Sequence, residues 1–159
     1  MNSERTASGD DRPGPARPAA DGQLRRLALF GSRHATARCR DFTRDALRDW
    51  HWLPASTEDE RLVAEDVLLM VSELVSNASL HAGGPQELRL RGSSDRLRVE
   101  VTDGSPAAPR PGVPHRAGSP GGYGLHVVAV LAREWGWAPG AEGGKVVWLE
   151  VDRARVPAG

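Results

Sequence analysis

Lysine and cysteine are almost absent from this sequence, since each occurs only once, as Lys145 and Cys39. A single cysteine excludes a disulfide within the chain and suits a reducing compartment. No apolar run approaches the roughly 20 residues that span a bilayer, and the N-terminal region has no apolar segment resembling a signal peptide. We therefore expect a cytoplasmic protein that does not contact a membrane.

An excess of charge of either sign is also lacking. The 21 lysines and arginines balance the 21 aspartates and glutamates, so no net field attracts nucleic acid, and we expect no nucleic-acid partner. A chain of 159 residues suffices for one ordinary domain but not comfortably for two. Residues 1–22 are polar and rich in Pro, Gly and Ala, which predicts a disordered tail. We place one domain at 23–152 and a short C-terminal tail at 153–159.

Apolar periodicity and turn signals predict three helices and five strands. The longest helix begins with a capping box formed by Thr57 and Glu60, and Ser32 is the expected cap of the preceding helix. The predicted elements, in chain order, are a strand over 24–30, helices over 32–50 and 58–81, strands over 87–91 and 97–102, a helix over 123–133, and strands over 135–138 and 146–151. Because a tight turn joins two of the strands, they are antiparallel, and an α+β two-layer sandwich with helices on one sheet face is expected.

A long segment over 103–122 interrupts this regular pattern. It contains five prolines and several glycines. Loops of this length within a compact domain are usually either functional or disordered. We therefore expect this segment to border a functional site.

Three polar residues on the longest predicted helix are spaced by four: Glu73, Asn77 and His81. They share one stripe of the helix, next to the apolar stripe. A carboxylate at the edge of a core can act as a general base, and an amide oxygen one turn away can bind Mg²⁺, which prefers oxygen ligands. The alternative is an ordinary amphipathic helix with a polar flank.

An aspartate, Asp103, ends the second strand of the predicted hairpin and is followed by Gly104, Ser105 and Pro106. A carboxylate at a strand end can accept a hydrogen bond from an exocyclic amine such as that of adenine. The alternative is that Asp-Gly only makes a turn, as it does readily.

A glycine-rich segment, Gly121-Gly122-Tyr123-Gly124-Leu125, precedes the third predicted helix. Glycines at a helix N-terminus expose backbone amides and the positive end of the helix dipole to phosphate. The alternative is a flexible loop end whose glycines adopt positive φ.

Taken in order, these three segments resemble those of the GHKL ATPase superfamily, which includes ATPase domains of gyrase, a heat-shock chaperone and sensor histidine kinases. The compact size and the pattern Ser-Glu-Leu-Val-Ser-Asn-Ala over 72–78, followed by His81, resemble the bacterial anti-sigma factor serine/threonine kinases. The resemblance covers about residues 24–151. It implies a mixed, mostly antiparallel sheet beneath helices.

The resemblance also implies a role for each matching residue. Glu73 corresponds to the general base and Asn77 to the Mg²⁺ ligand, while residues 104–120 correspond to a lid over ATP. The implied ATP-binding residues are Asn77, His81, Asp103, Ser105, Gly121, Gly122, Gly124 and Leu125. Within this set, Asp103 would bind adenine and the glycines would lie beside the phosphates.

The sequence departs from the family pattern at two places. Relatives often continue the aspartate as Asp-x-Gly-x-Gly, whereas Ser105 and Ala107 occupy the later glycine positions here. Relatives also often place a threonine that faces adenine near the start of the last strand, where this chain has Lys145, Val146 and Val147. Both departures lie close to the expected adenine site.

The function implied by the resemblance is ATP-dependent phosphorylation of a serine or threonine on a small antagonist protein. The implied cofactor is Mg²⁺, and the partners are a sigma factor and its anti-anti-sigma antagonist. One alternative is a catalytically inactive ATP-binding module that regulates through partner binding alone. Another is a stand-alone histidine-kinase-like ATPase domain. The oligomeric state stays open between a monomer and a homodimer.

Overall fold

The computed structural model describes residues 22–81, 83–109 and 124–154. Every predicted helix and strand is present there, with ends that differ from the prediction by a few residues. The elements are β1 (Gln23–Ala28), α1 (Ala35–Asp49), α2 (Glu58–His81), β2 (Pro85–Gly92), β3 (Arg96–Asp103), α3 (Gly124–Leu131), β4 (Glu134–Pro139) and β5 (Lys145–Asp152). A short 3₁₀ turn, Ala141–Gly143, connects β4 to β5.

The five strands form one sheet in the order β1-β2-β3-β5-β4. Within the described residues all four strand pairings are antiparallel. The predicted α+β class is thus confirmed. The resemblance implied a mixed, mostly antiparallel sheet, whereas the strands of this part of the chain form only antiparallel pairs. The short β2–β3 and β4–β5 connections favour this arrangement, since parallel neighbours would need long crossovers.

The helices cover one face of the sheet. The first two helices pack on β1, β2 and β3, and α3 packs on α2 and β4. Burial alternates along β3, as expected for a strand with one covered face. The apolar stripe of α2 is buried, since each of its members is at most 4% exposed; it consists of Val63, Val67, Val71, Leu74 and Ala78.

The opposite sheet face carries charged side chains. Arg98 donates hydrogen bonds to the carboxylates of Glu100, at 2.8 Å, and Glu150, at 2.7 Å. These residues belong to the neighbouring strands β3 and β5. The sheet therefore has a core face toward the helices and a polar face away from them, which is the two-layer arrangement expected from the sequence.

The two predicted helix starts have different outcomes. Thr57 Oγ1 accepts the N–H of Glu60 at 3.1 Å, which confirms the first hydrogen bond of the predicted capping box. The second differs from the prediction, because Glu60 Oε1 accepts the N–H of Ser56 at 3.2 Å instead of the N–H of Thr57. The cap predicted at Ser32 is wrong. His34, in a left-handed conformation with φ 38°, adds a turn before α1 begins at Ala35, and Ser32 Oγ accepts a hydrogen bond from Arg38 instead.

Candidate functional site

Glu73 lies in the C-terminal half of α2 and is half-buried. Burial raises the pKa of its carboxyl above the ordinary value of 4.5, because removal of water disfavours the charged form. Within the described part of the chain its side chain has no hydrogen-bond or ion-pair partner. Since no described residue competes for this carboxylate, it suits the role of a general base toward a bound group.

Asn77 lies one helical turn after Glu73 and is only 6% exposed. Its side-chain amide has no hydrogen-bond partner among the described residues, although buried polar groups usually have one. An unpartnered amide oxygen next to a carboxylate suits Mg²⁺ chemically. No group of three or more His, Cys, Asp or Glu residues in the described ranges could hold a metal ion. A Mg²⁺ ion held by Asn77 would therefore take its remaining ligands from phosphates and water.

Asp103 ends β3 with its side chain on the helix-covered face of the sheet, as for Val99 and Val101. It is 3% exposed. Its Oδ1 accepts the N–H of Ser105 at 2.8 Å, so the carboxylate also shapes the turn that leaves the strand. The Ser105 hydroxyl in turn accepts the N–H of Ala107 at 3.2 Å. Asp103 and Ser105 are thus part of one hydrogen-bonded turn at the end of the sheet.

Lys145 is a member of this cluster that the sequence prediction missed. It is the first residue of β5 and lies directly opposite Asp103 in the antiparallel pairing. Its Nζ donates to Asp103 Oδ1 at 3.1 Å and to the backbone carbonyl of Ser105 at 3.5 Å. The Lys145 and Asp103 side chains are 4% and 2% exposed. A buried ion pair therefore joins the end of β3 to the start of β5.

The close approach of β5 to Asp103 depends on Gly144. A Cβ atom at this position would lie 3.0 Å from the Cα of Gly104 and closer still to the carbonyl oxygen of Asp103. Both obstacles are backbone atoms, which cannot turn aside. Glycine at 144 thus permits the strand contact that brings Lys145 onto Asp103.

The remaining predicted residues lie at the edge of the described chain. Gly124 is the first residue of α3, and Leu125 is 1% exposed within the hydrophobic core, so the side chain of Leu125 packs against protein. His81 is the last residue of α2, and its side chain lies outside the described part, as do Gly121, Gly122 and the lid residues 110–120. The structure therefore brings together Asp103, Ser105 and Lys145 at the sheet end, and Glu73 with Asn77 on α2.

A comparison with known protein families matches residues 31–151 to the histidine kinase-like ATPase domain. The chain belongs to this family. The match spans most of the chain, including Glu73, Asn77, Asp103 and Lys145, and it confirms the predicted membership of the GHKL superfamily. The protein is therefore an ATP-binding domain of the histidine kinase-like type.

No curated protein matches the chain. Among the described residues, no helix has both the length and the apolar character needed to cross a membrane.

Proposed function

We propose that this protein is an ATP-dependent serine/threonine protein kinase of the anti-sigma factor type, acting on a small antagonist protein. The observation that carries the proposal is the state of Glu73: half-buried, with a raised pKa and with no partner in the described part of the chain. An isolated carboxylate of this kind destabilises a fold, because it loses hydration without gaining a hydrogen bond. A kinase would use such a carboxylate as the base that accepts the proton of the target hydroxyl.

In the proposed reaction, Glu73 takes the proton from the hydroxyl of the target serine or threonine. The hydroxyl oxygen forms a bond to the γ-phosphorus of ATP, and the bond from that phosphorus to the bridging oxygen breaks, so that ADP leaves with the electron pair. Asn77 would hold Mg²⁺, which when bound neutralises phosphate charge. Asp103 would accept a hydrogen bond from the amino group of adenine. The sigma factor and its antagonist are the proposed partners.

The test uses the full chain, ATP labelled at the γ-phosphate, and small antagonist proteins purified from the source cell. We expect Mg²⁺-dependent transfer of label in an acid-stable form, because phosphoserine and phosphothreonine survive acid whereas phosphohistidine does not. Glu73→Gln should abolish transfer while ATP binding persists, since a general base acts in the transition state.

Glu65→Gln is the matched control on the same helix. Glu65 is exposed and pairs with Arg61, so its loss should leave transfer unchanged. Acid-labile label would contradict the proposal in favour of a histidine-kinase-like activity. Tight ATP binding without transfer to any antagonist would instead favour the inactive ATP-binding module.

A further inference from the structure

We propose that Lys145 is a second base-recognition residue, which donates a hydrogen bond from its ammonium group to the N1 ring nitrogen of adenine while Asp103 accepts from the neighbouring amino group. The inference rests on the proposed binding of ATP but not on phosphotransfer. Lys145 is the only lysine of the chain.

The first step of the argument is the donor count. An ammonium group has three N–H donors. Lys145 Nζ uses one on Asp103 Oδ1 and a second, longer contact on the Ser105 carbonyl. Within the described residues the third donor has no partner. A buried ammonium group gains from a third acceptor, because an unused donor in a site of low dielectric constant is costly.

The second step concerns the acceptor beside that donor. Both hydrogen bonds that the Asp103 carboxylate accepts from described residues fall on Oδ1, one from Ser105 and one from Lys145. The second oxygen, Oδ2, accepts no hydrogen bond from the part of the chain that the structure describes. Among these residues, the ion pair thus has one carboxylate oxygen and one ammonium N–H without a partner.

The third step matches this pair to a base. Adenine has an amino donor directly beside the N1 acceptor, so one carboxylate oxygen and one ammonium N–H match this edge of the base. Guanine has two adjacent donors, at N1 and N2, that a carboxylate binds best with both oxygens. Because Oδ1 of Asp103 is already occupied, the structure favours adenine over guanine.

A calorimetric titration of the full chain with Mg²⁺ and three nucleotides tests the assignment. The nucleotides are ATP, GTP and 1-deaza-ATP, which has a carbon in place of N1 but keeps the amino group. We expect 1-deaza-ATP to bind about 10-fold to 100-fold more weakly than ATP, because it cannot accept the hydrogen bond from the charged ammonium group. GTP should also bind more weakly than ATP.

Two variants assign the effect to Lys145. Lys145→Met keeps most of the side-chain length without the ammonium group, and ATP and 1-deaza-ATP should then bind about equally. Arg26→Met is the control, because it removes an exposed positive charge on β1, and it should preserve the wild-type ratio. ATP and 1-deaza-ATP carry the same charge, so the ratio of their two affinities does not respond to a general change in protein charge.

A measurement on the unaltered chain covers the case in which Lys145→Met does not fold. Since Lys145 is the only lysine, protein labelled with ¹⁵N at lysine Nζ gives one side-chain ammonium signal. Saturation with Mg-ATP should shift this signal, and 1-deaza-ATP should shift it to a different position.

Three results would overturn the proposal. The first is equal binding of ATP and 1-deaza-ATP by the wild type, and the second is an ammonium signal that saturating ATP leaves unmoved. The third is tighter ATP binding by Lys145→Met than by the wild type, because the ammonium group would then block the base site. None of these results depends on phosphotransfer, so a failure of the kinase proposal with ATP binding intact would leave this assignment standing.

Discussion

A methyl group added at Gly144 has no room at the start of β5. In Gly144→Ala the new Cβ would lie 3.0 Å from the Cα of Gly104 and 3.1 Å from the carbonyl carbon of Asp103. Carbon atoms in contact normally lie about 3.5–4.0 Å apart, so the backbone must separate by about 0.5 Å or more. The φ of Gly144 is −92°, so this position does not have the positive φ that favours glycine. The cost of the substitution is therefore steric.

The size of this cost follows from the rigidity of the obstacle. Overpacking in protein interiors costs about 1–3 kcal/mol, and an obstacle of backbone atoms places Gly144→Ala near the upper end. At about 2–4 °C per kcal/mol for a chain of this size, we expect Tm to fall by roughly 6–12 °C. The same displacement moves Lys145 away from Asp103, so the affinity for ATP should also fall.

Gly143→Ala is the matched control one residue away. Gly143 has a φ of +88° and open space where its Cβ would be, so alanine costs roughly 1–2 kcal/mol of backbone strain without touching Asp103. Thermal unfolding and calorimetric titration with Mg-ATP should find both variants destabilised, with ATP affinity reduced only in Gly144→Ala. A Gly144→Ala variant with wild-type Tm and affinity would refute the close approach of β5 to Asp103, and with it the ion pair.

Three further predictions concern buried groups. Glu73→Gln should raise Tm at pH 8 while abolishing transfer. Because the pKa of Glu73 is raised in the folded protein, the protonated side chain stabilises the fold relative to the charged one. This stabilisation is complete below the ordinary pKa and is lost as the pH rises through the folded pKa. The gain in Tm should therefore shrink as thermal unfolding is repeated toward pH 4, and a gain independent of pH would contradict the role of burial. Thr43→Val should stabilise the protein by about 1 kcal/mol in urea unfolding, since the buried Thr43 hydroxyl lacks a partner; a loss of stability would show that the hydroxyl is satisfied. Cys39 should resist a thiol reagent at pH 8 until the protein is unfolded, because burial raises the pKa of its thiol to about 12, and rapid labelling of the native protein would count against its burial.

The parts of the fold that were predicted from the sequence are those determined by local chemistry. The α2 helix follows from its apolar stripe and from the Thr57–Glu60 cap, both of which depend on residues a few positions apart. The β2–β3 hairpin likewise follows from two alternating runs and a short turn. The error at Ser32 arose because a serine before a helical pattern does not reveal an extra turn at His34.

The candidate site was predictable only where its residues share one element. The spacing of Glu73 and Asn77 places them on one stripe of α2 by helical geometry alone. The contact of Lys145 with Asp103 joins residues 42 positions apart, and it depends on the register between β3 and β5. A pattern of apolar residues determines which face a strand buries but not which residue lies opposite. The signal that was present is the only lysine of the chain, immediately before the last predicted strand at 146–151.

The two ends of the candidate site differ in how far the protein satisfies its own polar groups. At the sheet end, Asp103 is neutralised by Lys145 and held by the Ser105 amide, so the groups that we propose for base recognition are already held in position by the protein. On α2, the side chains of Glu73 and Asn77 have no partner in the described part of the chain, and their hydrogen-bonding capacity is unused. At both places a ligand would add hydrogen bonds, but only at the sheet end are the side chains already held by other protein groups. We therefore infer that Asp103 and Lys145 are preorganised, whereas Glu73 and Asn77 gain their partners only when a ligand binds.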